Sequence, residues 1–145
     1  MFKRILLVCV GNICRSPTAE YLFRNRLAAS DIHVESAGLG ALAGSGMDPS
    51  ALAVLAEHGV DGGAHVARHL NDRMLQSADL ILAMEKRQVS SLSRTAPQAS
   101  GKIFLLGKWQ ADLAIPDPYR QQRVAFEHVY RLIDDAVSQW VKRLD

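Results

Sequence analysis

Hydrophobic residues are concentrated in four short runs, each of a length that suits a buried strand. Residues 4–8 and 79–84 are almost continuously apolar, residues 33–37 alternate between apolar and polar, and residues 102–106 are mostly apolar and are followed by Gly107. Short apolar runs bounded by turn residues are typical of strands that helices cover on both faces. The pattern therefore predicts four strands.

Segments with helical spacing lie between these strands. Residues 17–29 and 85–95 are predicted helices, and Asp48 and Pro49 begin another that Gly59 ends, because aspartate suits a helix cap and proline suits the first turn. The last helix is the clearest, since apolar residues fall at helical spacing to the end of the chain: Phe126, Val129, Tyr130, Ile133, Val137, Trp140, Val141 and Leu144.

Strands that alternate with helices indicate an α/β fold. We predict a single domain over residues 1–145, with a four-stranded parallel sheet, right-handed crossovers and helices on both faces. Ligands of such sheets bind beyond the carboxyl ends of the strands. Cys9 follows the first strand directly, so it is expected at that edge of the sheet.

The loop after the first strand has the sequence Cys-Val-Gly-Asn-Ile-Cys-Arg-Ser-Pro, residues 9–17. Ser16 is predicted to cap the next helix, with Pro17 at its first position, where a missing N–H costs nothing. Loop amides and the helix dipole then create partial positive charge in one small space. The segment therefore predicts a phosphate-binding loop, formed by Val10, Gly11, Asn12, Ile13, Cys14, Arg15 and Ser16.

Cys9 and Arg15 make this loop a candidate catalytic site. A guanidinium can hold two oxygens of a phosphoryl group, and the same positive field favours thiolate over thiol. A thiolate beside a bound phosphoryl group is a nucleophile aimed at phosphorus. The alternatives are a small buried cysteine at a strand end and an arginine in a surface ion pair.

Composition and charge exclude several other classes of protein. The 145 residues are 48% hydrophobic and 22% charged, as in an ordinary globular protein, and a net charge of +2 is too small to indicate a nucleic-acid partner. No apolar run is long enough for membrane insertion and no signal peptide is evident, so we expect a cytoplasmic protein. Two cysteines in one loop indicate neither a disulfide framework nor a zinc site, and no metal or other cofactor is expected.

The loop sequence resembles the active-site signature of the low-molecular-weight protein tyrosine phosphatases, and the resemblance extends over almost the whole chain. It implies a hydrolase that removes phosphate from phosphotyrosine through a phosphocysteine intermediate, without a cofactor. Residues 84–87 and 115–120 resemble the bacterial branch associated with capsule and exopolysaccharide export. Members of that branch act on a tyrosine-rich tail of a membrane-associated kinase, so the resemblance implies a bacterial tyrosine kinase as the partner.

Asp117 is the best candidate for the acid that such a reaction needs. A tyrosine leaves as a phenolate, and a positioned acid that protonates this oxygen accelerates the step by roughly 10²- to 10⁴-fold. Prolines on both sides restrict the backbone of Asp117. An ordinary turn aspartate is the alternative. The resemblance implies that Asp117 is the general acid in the first step and the base for water in the second.

The resemblance also implies supporting roles around the loop. Ser36 and His65 match positions that, with Asn12, form a hydrogen-bond network shaping the loop, and His65 lies in a His-x-Ala-Arg pattern. Ser16 would donate a hydrogen bond to the sulfur of Cys9 in the leaving step, although its capping role alone explains its presence.

The sequence leaves Cys14 with two alternatives. Its thiol packs beneath the loop or, as the resemblance implies, forms a reversible disulfide with Cys9 that shields the thiolate from over-oxidation. We expect Leu39, Leu42 and Tyr119 to form the entrance wall of the site.

Two other functions are compatible with the loop. Arsenate reductases of the thioredoxin-coupled type share the loop and fold but relay a disulfide through further cysteines, and this chain has none after Cys14. A phosphocysteine carrier would accept a phosphoryl group and pass it on. Such a carrier would not need Arg15 and Asp117 together, since both promote transfer and hydrolysis.

Overall fold

The computed structural model describes residues 2–144, and the predicted domain also includes Met1 and Asp145, which lie outside the described residues. Strands, α-helices and one 3₁₀ helix follow one another along the chain. Their bounds are β1 Arg4–Cys9, α1 Arg15–Arg26, β2 His33–Gly38, α2 Pro49–Glu57, α3 Asp72–Ser77, β3 Leu80–Ala83, α4 Lys86–Thr95, a 3₁₀ helix Pro97–Lys102, β4 Ile103–Leu105 and α5 Arg123–Val141.

The four strands form one sheet in the order β2-β1-β3-β4, and every neighbouring pair is parallel. β1 is therefore central, paired with β2 on one side and with β3 on the other. The carboxyl ends of all four strands point to the same edge of the sheet, and Cys9 lies there opposite Gly38. This confirms the predicted four-stranded parallel sheet.

Helices cover both faces of the sheet, as predicted. Ile5 and Leu7 of β1 belong to the larger core cluster, which includes buried residues of α1, α2 and α5. Leu6 and Val8 point to the opposite face and join the smaller cluster with residues of α3 and α4. These four apolar side chains of β1 are fully buried, and each such burial contributes about 1.5–3 kcal/mol. The same packing holds the carboxyl end of β1, and with it Cys9, in place.

The last helix, α5, confirms the predicted pattern of apolar residues. Seven of the eight predicted positions are buried and Val141 is half-buried, although Leu144 lies beyond the helix end. The Trp140 indole donates to the Leu106 carbonyl at 2.7 Å, which satisfies its polar atom inside the core. None of the helices in residues 2–144 is long and apolar enough to cross a membrane.

The start of α1 differs from the prediction. The helix begins at Arg15, with Cys14 in the cap position and no side-chain capping bond, so Ser16 and Pro17 are already its second and third residues. Ser16 does not cap the helix because its hydroxyl contacts Asn12 and Cys9. Proline is still tolerated, since the N–H groups of a first turn have no partner within the helix.

Other element bounds also differ from the prediction. The helix expected over residues 17–29 ends at Arg26, and the strand expected over residues 102–106 is only Ile103–Leu105. The residues before that strand form a 3₁₀ helix that begins at Pro97, where proline suits a first turn. The helix that Asp48 begins is capped by its side chain, which accepts from the Ser50 amide at 2.8 Å. Its predicted end is confirmed by Gly59, whose φ is +80°.

Candidate active site

A loop between β1 and α1 encloses one side of a cavity of about 170 Å³ at the carboxyl edge of the sheet. Asn12 turns this loop with a φ of +58°, a left-handed conformation that asparagine tolerates better than most residues. Residues from three segments line the cavity: Cys9, Val10, Gly11, Ile13, Cys14, Arg15, Gly40, Leu42, Asp117 and Tyr119.

A second loop, which follows β2, is bonded directly to the first. The amides of Leu39, Gly40 and Leu42 donate to the carbonyls of residues 9, 10 and 11 at 2.9–3.0 Å. This close contact requires glycine at position 38, because a Cβ there would lie 2.4 Å from the Val10 carbonyl oxygen. The two loops therefore hold one another in shape.

Cys9 is buried, with 3% of its surface exposed, and lines the cavity. Its Sγ lies 2.9 Å from the Ser16 hydroxyl, which projects from the first turn of α1. The sulfur thus faces a hydroxyl and the positive end of a helix, the environment that stabilises a thiolate.

Arg15 crosses from α1 to the opposite wall of the cavity. Its guanidinium is 2% exposed, and its Nη1 donates to the Glu85 carboxylate at 2.5 Å and to the Ile115 carbonyl at 2.8 Å. A buried charge needs such partners. The alternative of a surface ion pair is therefore wrong, because the side chain is held inside the protein beside Cys9.

Asp117 lies on the loop before α5, opposite the phosphate-binding loop. Its Oδ2 is 3.9 Å from the Arg15 Nη2, and its Oδ1 accepts from the Tyr119 amide at 3.0 Å. The side chain is 47% exposed, so solvent or a bound molecule can reach it. The structure thus brings the three predicted catalytic residues, Cys9, Arg15 and Asp117, to one cavity.

Asn12 is the centre of a hydrogen-bond network beneath the loop. Its Nδ2 donates to the hydroxyls of Ser16 at 2.8 Å and Ser36 at 2.9 Å. Its backbone carbonyl accepts from His65 Nε2 at 2.7 Å, which assigns the proton to that ring nitrogen. Its Oδ1 accepts from the Arg68 amide at 3.0 Å. Ser36 and His65 therefore contact Asn12, as the family resemblance implied.

The entrance of the cavity differs in one residue from the prediction. Leu42 and Tyr119 line it, and both are partly exposed. Leu39 does not line the cavity. Leu39 is 39% exposed, and from the same loop Gly40 lines the cavity together with Leu42. Within residues 2–144 there is no group of three or more His, Cys, Asp or Glu side chains placed to hold a metal ion.

The family model of the low molecular weight phosphotyrosine protein phosphatases matches residues 4–145. The chain belongs to this family. The Wzb low molecular weight protein-tyrosine-phosphatase of Escherichia coli is 48% identical over 145 residues, which is 100% of this chain and 97% of that protein.

Solved structures of the family superpose closely on this chain. The Erwinia amylovora tyrosine phosphatase AmsI matches with a TM-score of 0.95 and 43% identity, over 100% of this chain and 95% of that one. Vibrio vulnificus Wzb in complex with benzylphosphonate matches with a TM-score of 0.95 and 44% identity, over 99% of this chain and 100% of that one. The α/β fold is thus that of the low molecular weight phosphatases.

Two acidic residues of this family member contribute to the site but were not predicted. Glu85 holds the Arg15 guanidinium, and it could have been found because it follows β3 at the carboxyl edge of the sheet. Glu20 is 4% exposed and accepts from the Ser36 hydroxyl at 2.5 Å. Its only sequence signal is its place one helical turn after Ser16.

Cys14 packs below the loop in the larger core cluster, and both cysteines are free thiols. Burial raises the pKa of the Cys14 thiol well above its ordinary value, and the nearby Asp48 carboxylate raises it further. The thiol of Cys14 therefore stays protonated, which agrees with the packing alternative for the reduced protein.

Proposed function

We propose that this chain is a protein tyrosine phosphatase that works through a phosphocysteine intermediate. In this proposal Cys9 is the nucleophile, Arg15 holds the phosphoryl oxygens, and Asp117 is the general acid and then the general base. The observation that carries the proposal is the common cavity of the Cys9 sulfur and the Arg15 guanidinium, with Asp117 at its opposite wall.

In the first step, the Cys9 thiolate attacks phosphorus, an S–P bond forms and the bond from phosphorus to the phenolic oxygen breaks. Asp117 gives its proton to that oxygen, so the product leaves as a neutral phenol. Amides of the loop and the Arg15 guanidinium stabilise the charge on the three other oxygens. Nη1 of Arg15 is already occupied by Glu85 and Ile115, which leaves Nη2 and Nε for the phosphoryl group.

In the second step, water attacks the phosphorus of phosphocysteine and gives its proton to Asp117. The S–P bond breaks and the electron pair returns to the sulfur, which leaves as a thiolate. A hydrogen bond from Ser16 to the sulfur, 2.9 Å away, stabilises this leaving group. The cycle then ends with the groups in their starting protonation states.

Known ligands of the relatives support an aromatic phosphate as the substrate. Benzylphosphonate, with which Vibrio vulnificus Wzb is in complex in its solved structure, combines a tetrahedral anion with an aromatic ring. In this chain Leu42 and Tyr119 offer apolar and aromatic walls beside the anion-binding loop. The substrate we propose is a phosphotyrosine side chain, with its ring between these walls.

The partner we propose is a membrane-associated bacterial tyrosine kinase of exopolysaccharide or capsule production. Relatives with 43–48% identity come from bacteria, including Escherichia coli and Erwinia amylovora, and residues 84–87 and 115–120 resemble the capsule-associated branch. We further propose a cytoplasmic location, where the Cys9 thiolate stays reduced. We expect the reaction to need no cofactor.

A burst experiment with an aryl phosphate tests this function. The native chain should release one equivalent of phenol rapidly and then turn over, Cys9→Ser should lose all turnover, and Asp117→Asn should show a large fall. Turnover that survives in Cys9→Ser would refute the covalent mechanism. A native chain that takes up one phosphoryl group and holds it would instead favour the phosphocysteine carrier. Reduction of arsenate by the native chain with thioredoxin would favour the reductase.

A further inference from the structure

The strand β4 forms one edge of the sheet, because within residues 2–144 it pairs with β3 alone. A cavity of about 360 Å³ opens beside it, and its lining residues differ from those of the active-site cavity. They include Lys86 and Val89 of α4 and all three residues of the strand, Ile103, Phe104 and Leu105. An edge strand beside an open cavity can pair with a further strand.

The direction of the backbone groups of β4 follows from its pairing with β3. The amide of Leu106, directly after the strand, donates to the Ala83 carbonyl of β3 at 2.8 Å. Backbone groups alternate in direction along a strand, so those of Phe104 also face β3. The backbone groups of Ile103 and Leu105 therefore point away from the sheet.

Two of these four outward groups are already bonded. The Ile103 amide donates to the Ser100 carbonyl, and the Leu105 carbonyl accepts from the Lys108 amide. The Ile103 carbonyl and the Leu105 amide make no hydrogen bond within the described part of the chain. One residue of an added parallel strand can bond both, since its own amide donates to Ile103 and its carbonyl accepts from Leu105.

Two lysines give this edge a positive charge on each face. Lys86 is exposed on α4, whose Val89 packs on the smaller core cluster. Lys108 Nζ lies 5.2 Å from the ring centre of Phe104, which packs on the larger cluster on the other face. Neither lysine takes part in an ion pair among residues 2–144. Asp112 is the acidic residue of the cavity lining, so cations outnumber anions there.

We propose that the edge of β4 is a docking site for an extended acidic segment of a partner protein, which adds to the sheet as a parallel strand. Main-chain hydrogen bonds to Ile103 and Leu105 hold such a segment, and charge selects it. Neighbouring side chains of a strand point to opposite faces, so two consecutive acidic residues reach Lys86 and Lys108 together. A second copy of this chain fits poorly, because it would bring the lysines of both copies together.

The probe is the peptide acetyl-Thr-Val-Glu-Glu-Val-Thr-amide, titrated into the native chain and followed by the backbone amide signals in NMR spectra. We expect the Leu105 amide signal to shift downfield and its hydrogen exchange to slow, because this N–H gains an acceptor. The same peptide N-methylated at every residue keeps both carboxylates but donates no backbone hydrogen bond, so it should bind roughly tenfold more weakly. The peptide carries no phosphate, and the result is therefore independent of phosphatase activity.

A charge-neutral variant tests the role of the lysines. Lys86→Gln combined with Lys108→Gln should raise the dissociation constant of the peptide roughly tenfold, because each exposed ion pair supplies up to about a factor of five. Lys3→Gln is the matched control, since it removes the same charge from an exposed pair with Asp31 at the start of β1. It should leave the dissociation constant unchanged.

Several results would overturn the proposal. They are an unchanged Leu105 signal up to millimolar peptide, equal binding of the N-methylated peptide, and an equal dissociation constant for the native chain and the double lysine variant. Sedimentation of the native chain without peptide tests the remaining occupant. Self-association that shifts the Leu105 signal would show that a second copy, rather than an acidic segment, occupies the edge.

Discussion

The guanidinium of Arg15 and the carboxylate of Glu85 are joined by a 2.5 Å hydrogen bond across the wall of the active-site cavity. Arg15 lies at the start of α1 and Glu85 at the start of α4, so the bond links the first and third strands of the sheet through the helices that follow them. Because Nη1 of Arg15 is bonded to Glu85 and to the Ile115 carbonyl, only Nη2 and Nε are free for a phosphoryl group.

Glu85→Gln should weaken both folding and phosphate binding. Breaking a buried pair leaves an uncompensated charge, and such changes reduce the free energy of unfolding by about 3–5 kcal/mol. We expect somewhat less, about 2–3 kcal/mol, because glutamine still accepts a hydrogen bond and Glu85 is 21% exposed. Urea unfolding and the inhibition constant of inorganic phosphate measure the two effects. Unchanged values for both would show that Ile115 alone holds the guanidinium.

Asp117→Asn should affect turnover according to the leaving group. The amide has no proton to give, so phenyl phosphate should be hydrolysed roughly 10²- to 10⁴-fold more slowly. An aryl phosphate whose phenol is much more acidic needs less protonation and should lose far less. The free energy of unfolding should hardly change, since the side chain is 47% exposed. Equal losses for both substrates would contradict the role of Asp117 as the acid.

Gly38→Ala should distort the phosphate-binding loop, because the new methyl group would press against the backbone of that loop. The added Cβ would lie 2.4 Å from the Val10 carbonyl oxygen, a contact that backbone must move to relieve. We expect a loss of about 1–3 kcal/mol of unfolding free energy together with a rise in KM for aryl phosphates. Gly101→Ala is the control, because its Cβ would meet no atom within 4 Å. Equal stability and equal KM for the two variants would contradict this account of Gly38.

The sequence was most informative where local chemistry and tertiary structure agree. Apolar runs identified all four strands, since a parallel sheet buries both faces of each strand. The loop sequence placed Cys9 and Arg15 in one cavity, because the loop is short and the helix begins within it. Asp117 is more than a hundred residues away in the chain, and only the combination of its flanking prolines with the family resemblance pointed to it.

Contacts that depend on packing between distant segments were not predictable. Glu20 lies on α1 and Glu85 directly before α4, where charged residues are ordinarily exposed, and only the fold shows that their partners Ser36 and Arg15 are buried. Ser16 was expected to cap α1 because serine commonly does so. Its hydroxyl instead lies between Asn12 and Cys9, a position that follows from the left-handed turn at Asn12.

Cys14 gives a prediction for stability at alkaline pH. Burial raises the pKa of this thiol in the folded protein, whereas the pKa of a cysteine thiol in the unfolded chain is about 8.5. Above that pH the unfolded chain binds fewer protons than the folded protein, so unfolding becomes more favourable as the pH rises. Below it, the contribution of Cys14 to stability is fully present.

The native chain should therefore lose up to about 1.4 kcal/mol of unfolding free energy per pH unit above pH 8.5 through this thiol. Cys14→Ala removes the group, so its unfolding free energy should fall less steeply with pH, although its absolute value is lower because of the cavity. Burial also raises the pKa values of Tyr21 and Tyr130, but both tyrosines are present in both proteins and cancel in the difference. Urea unfolding under reducing conditions between pH 8 and pH 10.5 measures the two slopes. Parallel slopes would mean that the buried thiol of Cys14 ionises in the folded protein as readily as in the unfolded chain.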